Sequence, residues 1–125
     1  MDNFSFGRKC EDIATKALLK KGYRIINRNV YSRYGELDIV CLQKDWLVFI
    51  EVKSKHIGSS WPISKSLNVR KKIKIHKTIQ WWINKNNCFT KKWRFDFVGV
   101  TIYSQVKHTV NHIRFVNLPV LNKEY

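Results

Sequence analysis

Two apolar segments that lie only a few residues apart place the strongest constraint on how this chain folds. Residues 36–42 and 46–53 are rich in Ile, Val, Leu and Phe, and only Gln43, Lys44 and Asp45 separate them. A connection this short joins antiparallel strands, because parallel neighbours need a crossover of a dozen or more residues. With Lys44 and Asp45 as a two-residue turn, the two segments are predicted to form a β-hairpin.

Acidic residues interrupt this apolar hairpin. Glu36, Asp38 and Glu51 are three of only nine acidic residues, and an unpaired charge is costly to bury among apolar side chains. The hairpin register places Asp38 opposite Glu51 and Glu36 opposite Lys53, all on one face. Opposed Cβ atoms lie ~5 Å apart, so the two carboxylates repel each other unless a cation lies between them. The pair therefore predicts a site for Mg²⁺ or Mn²⁺, which prefer oxygen ligands, with Lys53 beside the ion.

The register is the step on which this site depends. Lys-Asp is not the Asn-Gly or Asp-Gly pair that favours a tight turn, and a slip of one residue would change the cross-strand pairing. Glu51 and Lys53 would still share a face. The alternative interpretation is structural: Glu51 and Lys53 form an ion pair on a solvent-facing sheet, and Asp38 is a solubilising charge at a strand edge.

Residue patterns on both sides of the hairpin predict an α/β fold. Apolar residues recur at steps of three and four in residues 10–18 and again in 66–84, which is the spacing of one helix face. Strands are predicted at residues 23–31, 95–103 and 111–116, the second of them buried on both sides. The predicted order is α-β-β-β-α-β-β, with a mixed β-sheet flanked by helices.

The net charge points to the kind of partner. The chain of 125 residues carries 24 Lys and Arg against 9 Asp and Glu, a formal charge of +15, which predicts a polyanionic partner, most commonly nucleic acid. The length and the 44% hydrophobic content predict a single domain over residues 1–125.

No apolar run approaches the ~20 residues that cross a bilayer, and the first residues lack a signal-peptide pattern. We expect a cytoplasmic protein without a membrane partner.

The second predicted helix carries much of the positive charge. Arg70, Lys71, Lys72, Lys74 and Lys77 lie within little more than two turns. Such a run is commonly the solvated face of a helix, but the net charge favours contacts with phosphates. The predicted phosphate contacts are Arg70, Lys71, Lys74 and Lys77, with Lys71 and Lys74 one turn apart.

Several tryptophans lie next to basic residues in the sequence. Tryptophan rings in such positions can stack on the bases of single-stranded nucleic acid. Trp61, in the loop after the predicted site, is the candidate for this role. Trp82 shares a helical face with Ile75 and Ile79 and is predicted to lie in the core.

Glu11 adds a fourth acidic group at the margin of the first helix's apolar face, three residues before Ala14. The ordered set of Glu11, Asp38 and Glu51-Val52-Lys53 resembles the PD-(D/E)xK nuclease superfamily, which has a restriction-endonuclease-like core. More closely, the chain resembles the YraN-like family of small bacterial proteins, distantly similar to Holliday junction resolvases. The stretches that carry this resemblance are residues 7–11 with Ala14, 21–23, 28–29, 35–40, 47–53, Lys71, 94–96 and 112–113.

The resemblance implies a role for each residue. Asp38 and Glu51 would hold the metal, Glu11 would support it directly or through water, and Lys53 would orient or help deprotonate the attacking water. Glu36 is open between a supporting role in this site and a surface charge. Asp96 is predicted to pair with a basic neighbour and not to bind metal.

Three function hypotheses result. The first is a Mg²⁺-dependent DNA endonuclease that hydrolyses phosphodiester bonds of branched or single-stranded DNA in repair or recombination. The second is a catalytically weak or inactive nucleic-acid-binding protein of the same fold. The third is a basic RNA-binding or ribosome-associated protein, against which the carboxylate arrangement argues. A homodimer, the state in which junction-cleaving relatives act, stays open.

Overall fold

The computed structural model describes residues 3–56, 67–88 and 90–121. The elements in chain order are α1 (Asn3–Lys20), β1 (Arg24–Ser32), β2 (Gly35–Gln43), β3 (Trp46–His56), α2 (Val69–Lys85), β4 (Lys92–Ile102) and β5 (His108–Ile113). The predicted order α-β-β-β-α-β-β is confirmed. Neither helix is both long and apolar enough to span a bilayer.

The strands form one mixed sheet in the order β1-β2-β3-β4-β5. Strands β3 and β4 are parallel, and the other neighbours are antiparallel. Helix α2 lies in the connection between the two parallel strands, as a crossover requires. Strand β4 is buried from Arg94 to Ile102, which confirms the prediction of a strand covered on both faces.

The two helices cover opposite faces of the sheet, because successive side chains of a strand point to opposite sides. Helix α1 packs against one core cluster, whose members include Cys10, Ala14, Leu18, Ile39, Cys41, Val48, Ile50, Val98 and Val100. Helix α2 packs against the other, whose members include Val40, Leu47, Phe49, Ile75, Ile79, Trp82, Phe95 and Phe97. The core position predicted for Trp82 is confirmed, with 4% of its surface exposed.

The hairpin has the predicted register near its turn, but the predicted cross-strand pairs Asp38–Glu51 and Glu36–Lys53 do not form, because β2 and β3 have separated before they reach these residues. The cross-strand pairs Ile39–Ile50 and Gln43–Trp46 leave a two-residue turn between β2 and β3. Lys44 adopts φ 55° in this turn, a left-handed conformation that costs a non-glycine residue roughly 1–2 kcal/mol. The buried pairs of the hairpin stabilise the turn in spite of its unfavourable sequence.

Strands β2 and β3 separate beyond the hairpin. Their pairing ends at Ile39–Ile50; from there β2 stays paired with β1 as far as Gly35, while β3 stays paired with β4 to its last residue. Asp38 and Glu51 are the next residues along the two strands. They therefore stand at the point where the sheet forks.

A buried polar network ties β4 to β5 and to the start of β1. Asp96 is fully buried, accepts a hydrogen bond from Arg94 Nε at 3.1 Å and lies 2.8 Å from His112 Nε2. It also accepts the backbone N–H of Phe115 at 3.1 Å, while Arg94 donates to the Tyr23 hydroxyl at 2.8 Å. The predicted pairing of Asp96 with a basic neighbour is confirmed.

Candidate metal centre and nucleic-acid interface

A pocket of about 510 Å³ opens at the fork, on the face of the sheet that α2 covers. Its walls come from both strands of the fork and from the first turns of α2. The lining residues are Gly35, Glu36, Asp38, Glu51, Val52, Lys53, Asn68, Arg70, Lys71, Lys74 and Ile75. The structure thus brings together the four charged residues of the predicted hairpin face and three of the predicted phosphate contacts.

Asp38 and Glu51 are held against each other. The Oδ2 atom of Asp38 accepts the backbone N–H of Val52 at 2.7 Å, which bridges the two strands after their regular pairing has ended. The Glu51 carboxyl contacts that of Asp38 through a hydrogen bond, and Glu51 is only 8% exposed. Two carboxyl groups this close share a proton unless a cation compensates them.

Burial is the main cause that raises the pKa of Glu51 to about 9, followed by the hydrogen bond and the charge of Asp38. The pair therefore carries one proton near neutral pH when no cation is bound. A hard divalent cation prefers such oxygen ligands and would allow both groups to ionise. The donor set of Asp38 and Glu51 fits Mg²⁺ or Mn²⁺ for this reason.

Two lysines flank the carboxyl pair. Lys71 Nζ lies 3.9 Å from Glu51 Oε2 and also contacts the Lys53 side chain. Burial, and then the contact with Lys53, lowers the pKa of Lys71. The Asn68 side chain accepts the Lys71 backbone N–H at 2.8 Å and caps α2, so the helix begins with its first turn directed at the fork. Two adjacent ammonium groups beside the carboxyl pair can hold the oxygens of a phosphate.

Glu11 approaches Asp38 from the opposite face, on α1. Its Oε1 atom lies 3.8 Å from Arg28 Nη2, which also donates to Asp12 at 2.9 Å. Burial, and then the charge of Asp38, raises the pKa of Glu11. Within residues 3–56, 67–88 and 90–121, no three His, Cys, Asp or Glu side chains are grouped to hold one ion. The Asp38–Glu51 pair offers two carboxylate donors, a number that would suit Mg²⁺, because this ion keeps several waters.

The other residues predicted to contact nucleic acid do not all lie at the pocket. Arg70 and Lys74 line the pocket beside Lys71. Lys77, farther along α2, lies with its Nζ atom 5.8 Å from the ring centre of Tyr34 and does not line the pocket. Trp61 lies outside the described residues.

The sequence analysis missed a second cavity, of about 380 Å³, which shares Glu36 and Asp38 with the first. Its other lining residues are Phe4, Gly7, Arg8, Glu11, Asn29 and Tyr31. Asn29 adopts φ 54° and stands opposite Asp38 in the β1–β2 register, between the pairs Arg28–Ile39 and Val30–Leu37. An Asn in the middle of a strand was the available signal, because Asn is disfavoured in strands and tolerates the left-handed conformation.

Comparisons with known proteins place this sequence in a family. The sequence profile of the uncharacterised protein family UPF0102 matches residues 10–100. The chain is 36% identical over 116 residues to a UPF0102 protein of Carboxydothermus hydrogenoformans, an alignment that covers 93% of this chain and 98% of that one. It is 38% identical over 105 residues to a UPF0102 protein of Magnetococcus marinus, covering 83% and 85%. The matched region includes Asp38, the Glu51-Val52-Lys53 triplet and the basic turns of α2.

Proposed function

The chain belongs to the uncharacterised protein family UPF0102, the YraN-like proteins that its sequence resembles, and we propose that it is a metal-dependent endonuclease that acts on DNA. The observation that carries this proposal is the Asp38–Glu51 pair at the fork of the sheet. It joins two oxygen donors in mutual contact, a buried Glu51 and a half-buried Asp38, with two lysines beside them. Such a set matches the needs of phosphodiester hydrolysis, which requires an activated water and neutralisation of the charge that grows on the phosphoryl oxygens.

Asp38 and Glu51 are the proposed ligands of Mg²⁺ or Mn²⁺. When bound, the ion would supply Lewis-acid activation of the phosphate and a more acidic water. The backbone N–H of Val52 keeps Asp38 in place by its hydrogen bond to Oδ2. Glu11, paired with Arg28, is proposed to act on Asp38 from the other face through water.

Lys53 and Lys71 are proposed to bind the scissile phosphate and the attacking water. Both line the pocket that holds the carboxyl pair, and their side chains contact each other. In the metal-free protein Lys71 lies close to Glu51. Once a cation compensates Glu51, the ammonium group of Lys71 is available to a phosphate oxygen. Lys53 orients the water through a hydrogen bond from its Nζ atom.

DNA is the proposed substrate because of charge and the position of α2. Arg70 and Lys74 extend the positive surface from Lys71 along one wall of the pocket. Contacts of Lys and Arg with phosphates supply affinity that does not depend on base sequence. This surface favours a nuclease that selects DNA by structure over one that reads a sequence.

A cleavage assay tests the proposal. Labelled single-stranded, duplex, flap and four-way-junction DNA are incubated with protein and Mg²⁺ or Mn²⁺, with EDTA as the metal-free control. We expect cleavage by wild type and a loss of at least about a hundredfold in Asp38→Asn and Glu51→Gln, since each removes a charged ligand. Asp45→Asn, in the exposed turn of the same hairpin, is the matched control and should cleave as wild type does. Equal nicking by wild type and Asp38→Asn would contradict the proposal.

The second candidate is a binding protein of the same fold that retains the carboxyl pair and does little chemistry. Calorimetry of Mn²⁺ binding separates it from the nuclease. The binding protein would be favoured if wild type binds Mn²⁺, Asp38→Asn does not, and wild type cleaves no DNA in the panel.

A further inference from the structure

Asp38 lines two cavities that lie on opposite sides of the sheet. The pocket on the α2 side and the second cavity, on the α1 side, both include Asp38 and Glu36 in their walls. This arrangement exists because β2 and β3 separate beyond Ile39–Ile50 and leave no paired backbone between the two faces. A chain bound with one phosphate at Asp38 can therefore extend toward the second cavity.

Exposed aromatic rings line the second cavity. Phe4 of α1 is 72% exposed, and Tyr31 of β1 is 67% exposed. Both rings are large apolar surfaces exposed to water, and neither belongs to the two core clusters of the described residues. The Arg8 guanidinium lies 4.9 Å from the ring centre of Phe4 and adds a cation to the cavity wall. Rings with a neighbouring cation are the common elements of sites that bind single strands by stacking on bases.

The charge of the cavity argues for a base in its interior. Glu11, Glu36 and Asp38 contribute carboxylates to its walls, and these repel a phosphate but accept a neutral base. Arg8 supplies the positive charge that a flanking phosphate requires. The exposed amide of Asn29, opposite Asp38, adds a polar group in a left-handed conformation of the kind that clusters at functional sites.

We propose that the second cavity binds the unpaired base next to the scissile phosphate, with Tyr31 as the stacking platform. The substrate is then single-stranded DNA or the single-stranded flank of a branched DNA. In a duplex the bases are stacked within the helix and do not reach an exposed ring, whereas an unpaired base can turn out of its strand. This placement rests on the proposed cleavage at Asp38, but the stacking itself is measured without cleavage.

Binding by fluorescence anisotropy in EDTA tests the proposal. The probes are a labelled single-stranded DNA, a duplex of the same sequence and the corresponding single-stranded RNA. We expect Tyr31→Ala to weaken single-stranded DNA binding by roughly tenfold, as the loss of one stacked base does, and to leave duplex binding unchanged. Tyr31→Trp should retain the affinity of wild type, because a larger ring still stacks. Tyr31 is exposed, so its replacement leaves the core intact.

The matched control is Tyr103→Ala, an exposed tyrosine beyond the end of β4 with Lys107 Nζ 5.4 Å from its ring centre. It should bind single strands as wild type does. Equal losses for single-stranded and duplex DNA in Tyr31→Ala, or no loss, would overturn the proposal. A larger loss for RNA than for DNA would overturn the assignment to DNA. If Tyr31→Ala loses single-strand binding as expected but wild type cleaves no DNA, only the nuclease proposal fails. If wild type cleaves DNA but Tyr31→Ala binds single strands as wild type does, only the base-binding role of the second cavity is rejected.

Discussion

The side chain of Asp38 accepts the backbone N–H of Val52 at 2.7 Å, at the first position where β2 and β3 no longer pair through their backbones. One oxygen of this carboxylate therefore continues the connection between the strands, while the group also contacts the carboxyl of Glu51. Asp38 has both a structural role in the fork and a role in the proposed metal site. Substitutions at this position have to be chosen to separate the two.

Replacing Asp38 with Asn and with Ala separates these roles. Asn keeps an oxygen that accepts the Val52 N–H, whereas Ala leaves this donor without its partner, which costs about 1–3 kcal/mol. We expect Asp38→Asn to be more stable than Asp38→Ala by about that amount in urea unfolding, and both to lose metal-dependent cleavage. Equal stabilities would show that the hydrogen bond does not stabilise the fork.

The pKa of Glu51 predicts how stability depends on pH without metal. Because burial and Asp38 raise this pKa from 4.5 to about 9, the folded protein keeps a proton that the unfolded chain loses. The stability linked to this proton is complete below about pH 4.5 and is lost as the pH rises to about 9. Glu51→Gln stays neutral at every pH, so its stability relative to wild type should rise steadily between pH 5 and 9. Urea unfolding in EDTA from pH 5 to 9 measures this, and parallel curves would refute it.

Metal binding should release the shared proton. The Asp38–Glu51 pair has to lose it before both groups can act as ligands, so the affinity for Mn²⁺ should rise up to about tenfold per pH unit between pH 6 and 8. Calorimetry in two buffers with different ionisation enthalpies counts the protons released. Glu51→Gln should bind more weakly and release none. An affinity independent of pH would contradict the assignment of the ion to this pair.

Lys71 should contribute to DNA affinity through charge alone. Loss of one phosphate contact lowers the slope of log affinity against log salt concentration by about 0.7–0.9, with a similar loss for every sequence. We expect this for Lys71→Ala, measured by anisotropy across a salt series. Lys85→Ala, at the other end of α2, is the control because Lys85 is directed at Trp81. An unchanged slope in Lys71→Ala would remove Lys71 from the interface.

Asp96 should matter for stability and not for chemistry. Asp96→Asn removes the charge that compensates buried Arg94, and breaking a buried pair from one side costs about 3–5 kcal/mol. Asp12→Asn is the comparison, because the Asp12–Arg28 pair is exposed and such pairs contribute at most about 1 kcal/mol. Urea denaturation of both variants gives the difference. Similar small losses would mean that the network does not stabilise the sheet.

Neighbouring elements were predictable because the covalent chain couples them. The hairpin register followed from the short connection and from the two-residue period of a strand, so Asp38, Glu51 and Lys53 could be assigned to one face from the sequence. The two-residue turn forms although Lys44 adopts a left-handed conformation, because burial of the paired strands stabilises the hairpin by more than this conformation costs. The apolar face that contains Trp82 was predictable for the same reason, since helical spacing is a local property.

The amino-acid sequence by itself determined the order of elements, the positive charge of α2 and the nearness of Asp38 to Glu51 and Lys53. Only the tertiary structure decided that the sheet forks at Asp38, that Lys71 reaches Glu51, and that a second cavity meets the first. The physical reason is range. Periods of two and 3.6 residues act within one element. The packing of the helices on both faces of the sheet decides where the pairing of two strands ends. It also decides which side chains from distant elements then meet.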